Sequence, residues 1–306
     1  MSDFHALQTE RIVGARPGPH LLIFGGVHGD EFEPMVAIRR LARSVRGADL
    51  RGALTLVPVV NEPAFLRGHR LAEDGLDLAR TFPGRADGSI TEQIAHAATR
   101  IIVTADLLID LHTGGTTMSL WPLAGYSLHP DAGVLEKQRR MARAFNLPFV
   151  WGTSPHHEGR SLSVARDANI PAIYTEFHGA ATCDPAGVDA YVSGCLNVMA
   201  EFEMIDRREF ASATKLVVED PRSGSGHLQI NNPAPCRGYF EPAVCLGQSV
   251  RTGDLLGTIS DPLGKEVTPI PSRQDGVVVL LRTFPRVLEG DCLAVIVEVE
   301  QNLAGT

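Results

Sequence analysis

The chain has 306 residues, of which 44% are hydrophobic and 21% charged, an ordinary globular composition that excludes a disordered or coiled-coil chain. A net charge of −8, with only three lysines (Lys137, Lys215, Lys265) among 28 basic residues and no Lys/Arg-rich run, argues against nucleic acid as a partner. No window approaches the roughly 18 consecutive apolar residues of a membrane-spanning helix.

The N-terminus, MSDFHALQTERIV, lacks a basic start followed by an apolar stretch, so no signal peptide is expected. Of the five cysteines (Cys183, Cys195, Cys236, Cys245, Cys292) none forms a C-x-x-C. An odd count argues against a disulfide framework or a cysteine-only zinc site, and fits a reducing cytoplasm. None sits in a pattern that points to a catalytic nucleophile.

In chain order, HLLIFGGVHG (20–29) predicts a buried strand running into a glycine loop. Residues 31–46 follow as a helix, with Met35, Ile38, Leu41, Ala42 and Val45 on one face. ALTLVPVV (53–60) reads as a strand, and 89–104 as a helix that Ser89 can cap with Glu92. DLLIDLHTGG (106–115) is an apolar strand, 135–147 a helix, 170–177 a strand and 184–205 a long helix. This alternation predicts an α/β fold with a mostly parallel sheet covered by helices.

Near residue 206 the character changes to short strands broken by Gly, Pro and Asp: GYFEPAV, VRTGDLLGTI, DGVVVLLR and CLAVIVEVE. The phrases GQSVRTGDLLG and RVLEGDCLA resemble each other, which predicts two hairpin units in a small β-barrel or sandwich. The expected division is a catalytic unit over 1–210 and a small β unit over 222–306.

Reactive side chains gather at the expected C-terminal ends of the strands, the edge where open α/β sheets bind ligands. In Gly25-Gly26-Val27-His28-Gly29-Asp30-Glu31, His28 and Glu31 stand three apart at a loop-to-helix junction and can converge on one ion. Asp30 could orient an imidazole; alternatively, the acids simply complement the helix dipole. In Asp110-Leu111-His112-Thr113-Gly114-Gly115, His112 would complete a two-His, one-carboxylate set that leaves a position open for water. Asp110 shares its strand face and could orient it. In Thr175-Glu176-Phe177-His178-Gly179, a glutamate ending an apolar strand needs a partner or a task, and beside an activated water it would be a general base. Between these clusters, three arginines lie in a Gly/Pro-rich stretch (61–84), where they could polarise a carbonyl or clamp a carboxylate. Ser154-Pro155-His156-His157-Glu158-Gly159 reads best as an exposed polar loop, and Tyr126 as an aromatic with a satisfied hydroxyl.

The order HGDE … NEPAF-x-x-x-x-R … DLAR-x-FPG … DLHTGG … TEFHG resembles the succinylglutamate desuccinylase/aspartoacylase family, a branch of the zinc carboxypeptidase-like hydrolases, over about residues 20–200. The resemblance implies the zinc carboxypeptidase-like fold and a zinc-dependent amidohydrolase acting on a small N-acyl amino acid or related amide. It implies one zinc per chain, held by His28, Glu31 and His112. Glu176 would be the general base and Arg70 the arginine that stabilises the oxyanion. Asn61 and Arg80 are expected to bind substrate, Arg80 gripping a carboxylate. The family commonly has D-L-N-R where this chain has Asp77-Leu78-Ala79-Arg80, so the side chain that would accompany Arg80 is a methyl. The stretch from NEPAF to FPGR is also similar to a subgroup that includes N-acetyl-diaminobutyrate deacetylases. The C-terminal unit resembles a biotinyl/lipoyl-like β domain, but its expected carrier turn, Ser272 to Gly276, has no lysine. The expected partner is a small carboxylate-bearing molecule, with no nucleic acid and no membrane; a homo-oligomer is left open. The competing readings are a metallocarboxypeptidase acting on short peptides, an esterase using the same site, and a non-catalytic small-molecule binding protein of the same fold.

Overall fold

A computed structural model of the chain describes residues 7–228 and 231–299. Residues 1–6, part of the N-terminus read as leaderless, and Glu300, the end of CLAVIVEVE, lie outside the described residues.

The elements up to residue 219 are β1 (Glu10–Val13), β2 (Arg16–Phe24), α1 (Phe32–Ser44), β3 (Arg51–Val57), α2 (Glu62–Arg67), α3 (Ile90–Ile102), β4 (Leu107–His112), β5 (Met118–Ser127), α4 (Ala132–Phe145), β6 (Phe149–Thr153), α5 (Ser161–Asp167), β7 (Ala172–Gly179), α6 (Pro185–Glu201) and β8 (Leu216–Glu219). The remainder is all strand: β9 (Gly238–Pro242), β10 (Ser249–Val250), β11 (Leu255–Ser260), β12 (Val267–Pro271), β13 (Gly276–Arg282), β14 (Arg286–Val287) and β15 (Ala294–Val297).

Every strand and helix expected before residue 206 is present, with ends displaced by a few residues. The strand expected to reach residue 29 ends at Phe24, because Gly25 to Asp30 leave it to form the loop that precedes α1. Helix α3 is entered much as expected: Glu92 accepts from the Ser89 backbone N–H at 2.8 Å, but the Ser89 hydroxyl donates to Asp74 at 2.6 Å.

The large sheet runs β1-β3-β2-β4-β7-β5-β13-β10, with β6 and β8 joined through β5 and β15 through β13. β2 pairs in parallel with both β3 and β4, and β4 in parallel with β7. The chain leaves β2 for β3 on one side and later returns to β4 on the other, a switch point that opens a crevice at the carboxyl ends of these strands. Alternate side chains feed two cores. Leu22, Phe24, Leu108 and Leu120 pack with α3 and α5; Leu21, Ile23, Leu107 and Ile109 pack with α1, α4 and α6.

At β5 the sheet forks. Met118 to Leu120 pair with β13, whereas Leu123 to Ser127 pair with β6. The β5–β7 register breaks between Leu120 and Leu123, around Pro122, whose missing N–H cannot join a ladder.

The C-terminal segment shows the expected internal repeat. β9 is flanked by β11 and β14, and β13 by β15 and β10. In the two equivalent turns an aspartate accepts from the backbone three residues earlier: Arg251 N to Asp254 Oδ2 at 2.8 Å, and Leu288 N to Asp291 Oδ2 at 2.9 Å. Each turn holds a glycine at positive φ, Gly253 at 92° and Gly290 at 89°, a conformation that disfavours any side chain. Strands β12-β11-β9-β14 form a separate antiparallel sheet. β13 serves two cores at once: Val278 and Leu281 pack with Phe240 and Leu256 of this small sheet, while Val279 and Leu280 pack with the α3/α5 side of the large one.

Candidate functional site

His28 and Glu31 arrive through the loop after β2. Gly29 passes so close to the Ala64 backbone that a Cβ would meet the Ala64 carbonyl carbon at 2.1 Å, so only glycine permits this path. Glu31 occupies the N-cap position of α1 but makes no side-chain cap bond. Its carboxylate turns inward instead. Oε1 lies 2.7 Å from His28 Nδ1, and Oε2 lies 3.1 Å from His112 Nδ1 and accepts the Thr113 N–H at 3.2 Å.

His112 ends β4, directly opposite Glu176 on β7. The donor atoms of His28, Glu31 and His112 all lie within 4.8 Å of one another, and all three residues are buried. Each imidazole is backed at its other nitrogen by a carboxylate. His28 Nε2 lies 3.1 Å from Asp77 Oδ1, and His112 Nε2 lies 3.2 Å from Asp110 Oδ1. Outer carboxylates of this kind fix the tautomer that presents a lone pair to a metal. The donor set therefore fits a divalent metal.

The electrostatics follow from burial and charge. Burial alone would raise the Glu31 carboxyl, but His28 and His112 outweigh it and hold it well below the usual range. Burial likewise opposes ionisation of Asp77, yet the bond to His28 and the charge of Arg70 keep it strongly acidic. Glu176 behaves in the opposite way. Burial pushes its carboxyl well above the usual value, and its Oε2 has no hydrogen-bond partner among the described residues. Two carboxylates lining one cleft are thus driven in opposite directions, the pattern that separates a ligand from a proton carrier.

Arg70 is pinned by Asp77 at 3.0 Å and reaches toward Glu31, with Nη1 3.7 Å from Oε1. These groups face a cleft of about 770 Å³, lined by His28, Glu31, Arg70, Arg80, His112 and Glu176 together with apolar walls. Six of the seven expected site residues are therefore brought together. Asn61 is not. It is fully buried, its Oδ1 accepts from Ala64 N to start α2, and it does not line the cleft.

Other expectations resolve residue by residue. Asp110 backs His112 as read, and it also accepts from the Ser161 hydroxyl. Asp30 does not touch an imidazole; its Oδ2 accepts from the Thr116 N–H at 2.9 Å and hydroxyl at 2.8 Å, holding the loop after β4. Tyr126 is buried with its hydroxyl donated to Glu219 at 2.7 Å, on the far face of the sheet. The loop from Ser154 to Gly159 is only partly exposed. His156 and Glu158 face solvent, but Ser154 and His157 are buried, His157 against the Ser225 carbonyl. His178 sits at φ 42° with its ring against Phe177 and does not line the cleft.

Sequence reasoning missed three kinds of residue. Asp77 was quoted only as part of a motif, although its spacing from Arg70 brings both into one ion pair. Arg160 lines the cleft beside Arg80, and neither forms an ion pair among the described residues. Burial first, and Arg80 next, push the Arg160 guanidinium down to about 10. The third kind is the set of C-terminal residues Gly226, Leu228 and Leu280, which line the cleft; the C-terminal unit is expected from sequence to cover or shape the mouth of the site or to mediate assembly, but none of these residues stands out there.

A family model described as "Succinylglutamate desuccinylase/Aspartoacylase catalytic domain" matches residues 17–202. The chain is 31% identical over 310 aligned residues to Nα-acetyl-L-2,4-diaminobutyric acid deacetylase of Halomonas elongata, covering 95% of this chain and 86% of that one. Among solved structures it is similar to a succinylglutamate desuccinylase/aspartoacylase of Rhodobacter sphaeroides, at TM-score 0.82 and 30% identity over 94% of this chain and 88% of the other. It is also similar to the product-bound ectoine utilization protein EutE (DoeB) of Ruegeria pomeroyi, at TM-score 0.85 and 27% identity over 95% and 88%. With the family match spanning more than half of its length and the Halomonas relative aligned nearly end to end, this chain belongs to the succinylglutamate desuccinylase/aspartoacylase family.

Proposed function

We propose that the chain is a zinc-dependent amidohydrolase that removes the acyl group from a small, carboxylate-bearing N-acyl amino acid or related compound. The observation that carries this reading is the convergence of His28 Nδ1, Glu31 and His112 Nδ1 across the cleft floor, with the unpartnered carboxyl of Glu176 on the adjoining strand. The relatives named above support it, since they include a deacetylase of an N-acetyl amino acid.

His28, Glu31 and His112 would hold the metal. When bound, it would polarise the substrate carbonyl and acidify an attacking water. Glu176 takes the proton from the nucleophile and returns it to the departing nitrogen, a task suited to a carboxyl whose burial raises its affinity for protons. Arg70, held by Asp77, offers guanidinium N–H donors to the developing oxyanion. Arg80 and Arg160, which form no ion pair among the described residues, attract the substrate carboxylate. With Ala79 in the wall, Arg160 supplies a polar contact that a side chain at position 79 cannot. The C-terminal wall narrows the cleft and disfavours a long peptide.

The test is metal content per chain together with turnover of an N-acyl amino acid panel, on wild type, His112→Ala and Glu176→Gln. The expected result is about one zinc per wild-type chain, lost in His112→Ala. Glu176→Gln keeps the metal and loses 10²- to 10⁴-fold in kcat, the usual range for a positioned acid–base group. A wild type that binds no zinc even when supplied, or a fully active Glu176→Gln, would refute the reading.

A further inference from the structure

The charge inventory of the cleft is one-sided. Its acidic lining residues are Glu31, Asp110 and Glu176. Glu31 is engaged by two histidines, Asp110 by His112 and the Ser161 hydroxyl, and Glu176 is the proposed proton carrier. No acidic lining residue is left over to meet a cation on the substrate.

Apart from the hydroxyl-bearing Thr113, Ser161 and Tyr174, much of the remaining wall is apolar: Phe82, Met118, Leu120, Leu162, Leu228 and Leu280. Its centre is built by strand register. Leu280 of β13 stands directly opposite Leu120 of β5, and the two are 1% and 2% exposed. The same sheet face carries His112 and Glu176; their own row continues to Leu123, and the Leu120–Leu280 pair lies in the neighbouring row, opposite His178, beyond the register break of β5. An ammonium group placed against this apolar wall would shed water and gain no counter-charge, which is costly, whereas a methyl group of the same size would gain contact.

Resting on the hydrolase reading above, we propose that this wall is an apolar specificity subsite. The preferred substrates then carry an uncharged, apolar substituent, and the chain discriminates against a cationic amino side chain of the kind present in diaminobutyrate. Leu120 and Leu280 are the specificity-determining pair.

The experiment uses isosteric substrates on zinc-loaded protein. Nα-acetyl-L-2,4-diaminobutyrate and N-acetyl-L-norvaline differ only by an ammonium against a methyl at the side-chain end. A second arm lengthens the acyl group on norvaline from acetyl to butyryl to hexanoyl. The same compounds are titrated by calorimetry into Glu176→Gln, which reads affinity without turnover. The expected result is a preference of at least about tenfold in kcat/KM and in affinity for the apolar member of one arm, in keeping with discrimination by apolar pockets. A preference confined to the side-chain arm assigns the subsite to the amino acid half; one confined to the acyl arm assigns it to the acyl half and overturns the discrimination against a cationic side chain. Leu280→Glu is expected to shift the ratio toward diaminobutyrate; should it not fold, Leu280→Ala is expected to narrow the norvaline preference. Turnover with the diaminobutyrate compound equal or preferred, and no gain along the acyl series, would overturn the subsite and leave the hydrolase standing. No turnover and no binding of any member would overturn both.

Discussion

Asp77 holds His28 from behind, its Oδ1 3.1 Å from the imidazole Nε2, while its Oδ2 takes Arg70 at 3.0 Å. One carboxylate therefore sets the tautomer of a metal-ligand candidate and the position of Arg70, the proposed oxyanion donor. Asp77→Asn is expected to lower zinc affinity by about 10- to 100-fold, the usual consequence of losing an outer carboxylate. Activity at saturating zinc should fall as well, because Arg70 loses its anchor. Competition with a chromogenic chelator reads the first effect, and steady-state kinetics at high zinc reads the second.

Arg160 has no carboxylate partner among the described residues and is pushed down to about 10 by burial and by Arg80. Asp77 and Glu176 offset this only in part, so the buried cation is costly to the fold, and on the proposed reading a substrate carboxylate would offset that cost. Arg160→Leu is expected to raise Tm by a few degrees and to raise KM for carboxylate substrates by at least about tenfold, a stability–function trade. A thermal melt and a KM measurement on the same preparation check both halves.

His157 is pushed down to about 4, by burial first and then by the Arg160 charge, with His227 and Arg80 adding to it and the Ser225 carbonyl opposing. Its folded pKa lies below the ordinary value of about 6.5, so as pH falls the unfolded chain takes up the proton first. Its contribution to stability is intact above pH 6.5 and is lost progressively down to pH 4. His157→Gln, which keeps a donor toward Ser225, is expected to flatten the decline by up to about 1.4 kcal/mol per pH unit within that window. Urea unfolding of wild type and variant at pH 7, 5.5 and 4.5, both in chelator, measures the difference.

Tyr191 is fully buried in α6 and donates its hydroxyl to the His112 backbone carbonyl. Tyr191→Phe removes one hydrogen bond to a buried carbonyl and should cost about 0.5–1.5 kcal/mol of stability. The imidazole is held separately by Glu31 and Asp110, so zinc affinity should change by less than about tenfold. Chemical denaturation and the chelator competition separate the two.

The clusters that converge at the cleft were legible because strand ends, glycines and reactive side chains coincide in sequence: His28 with Glu31, and His112 with Asp110. Glu176 was legible because an acid closing an apolar strand stands out. Asp77 and Arg160 were not, since a single charged residue in a loop has many solvated counterparts, and only the fold shows what each faces. Asn61 misled because an asparagine beside a helix start has a local use as a cap, and the structure gives it that one. β5 escaped because Pro122 and Gly125 interrupt its pattern, and β6 because five residues carry too little periodicity. The repeat in the C-terminal segment was visible in its two Gly-Asp turns. That β13 would leave its small sheet to join the large one was not, because a buried run such as Val277 to Leu281 fits either partner.

That strand has a consequence for how the molecule comes into being. A ribosome delivers the residues in order, and the candidate metal-ligand histidines, Arg70 and Glu176 have all emerged by residue 176. Leu280 follows more than a hundred residues later. Until then, Met118 to Leu120 have no neighbour on that side, and the nascent chain carries the reactive groups with a bare strand edge beside them. The cleft is finished last, and a chain stopped before β13 holds the chemistry in an unfinished vessel.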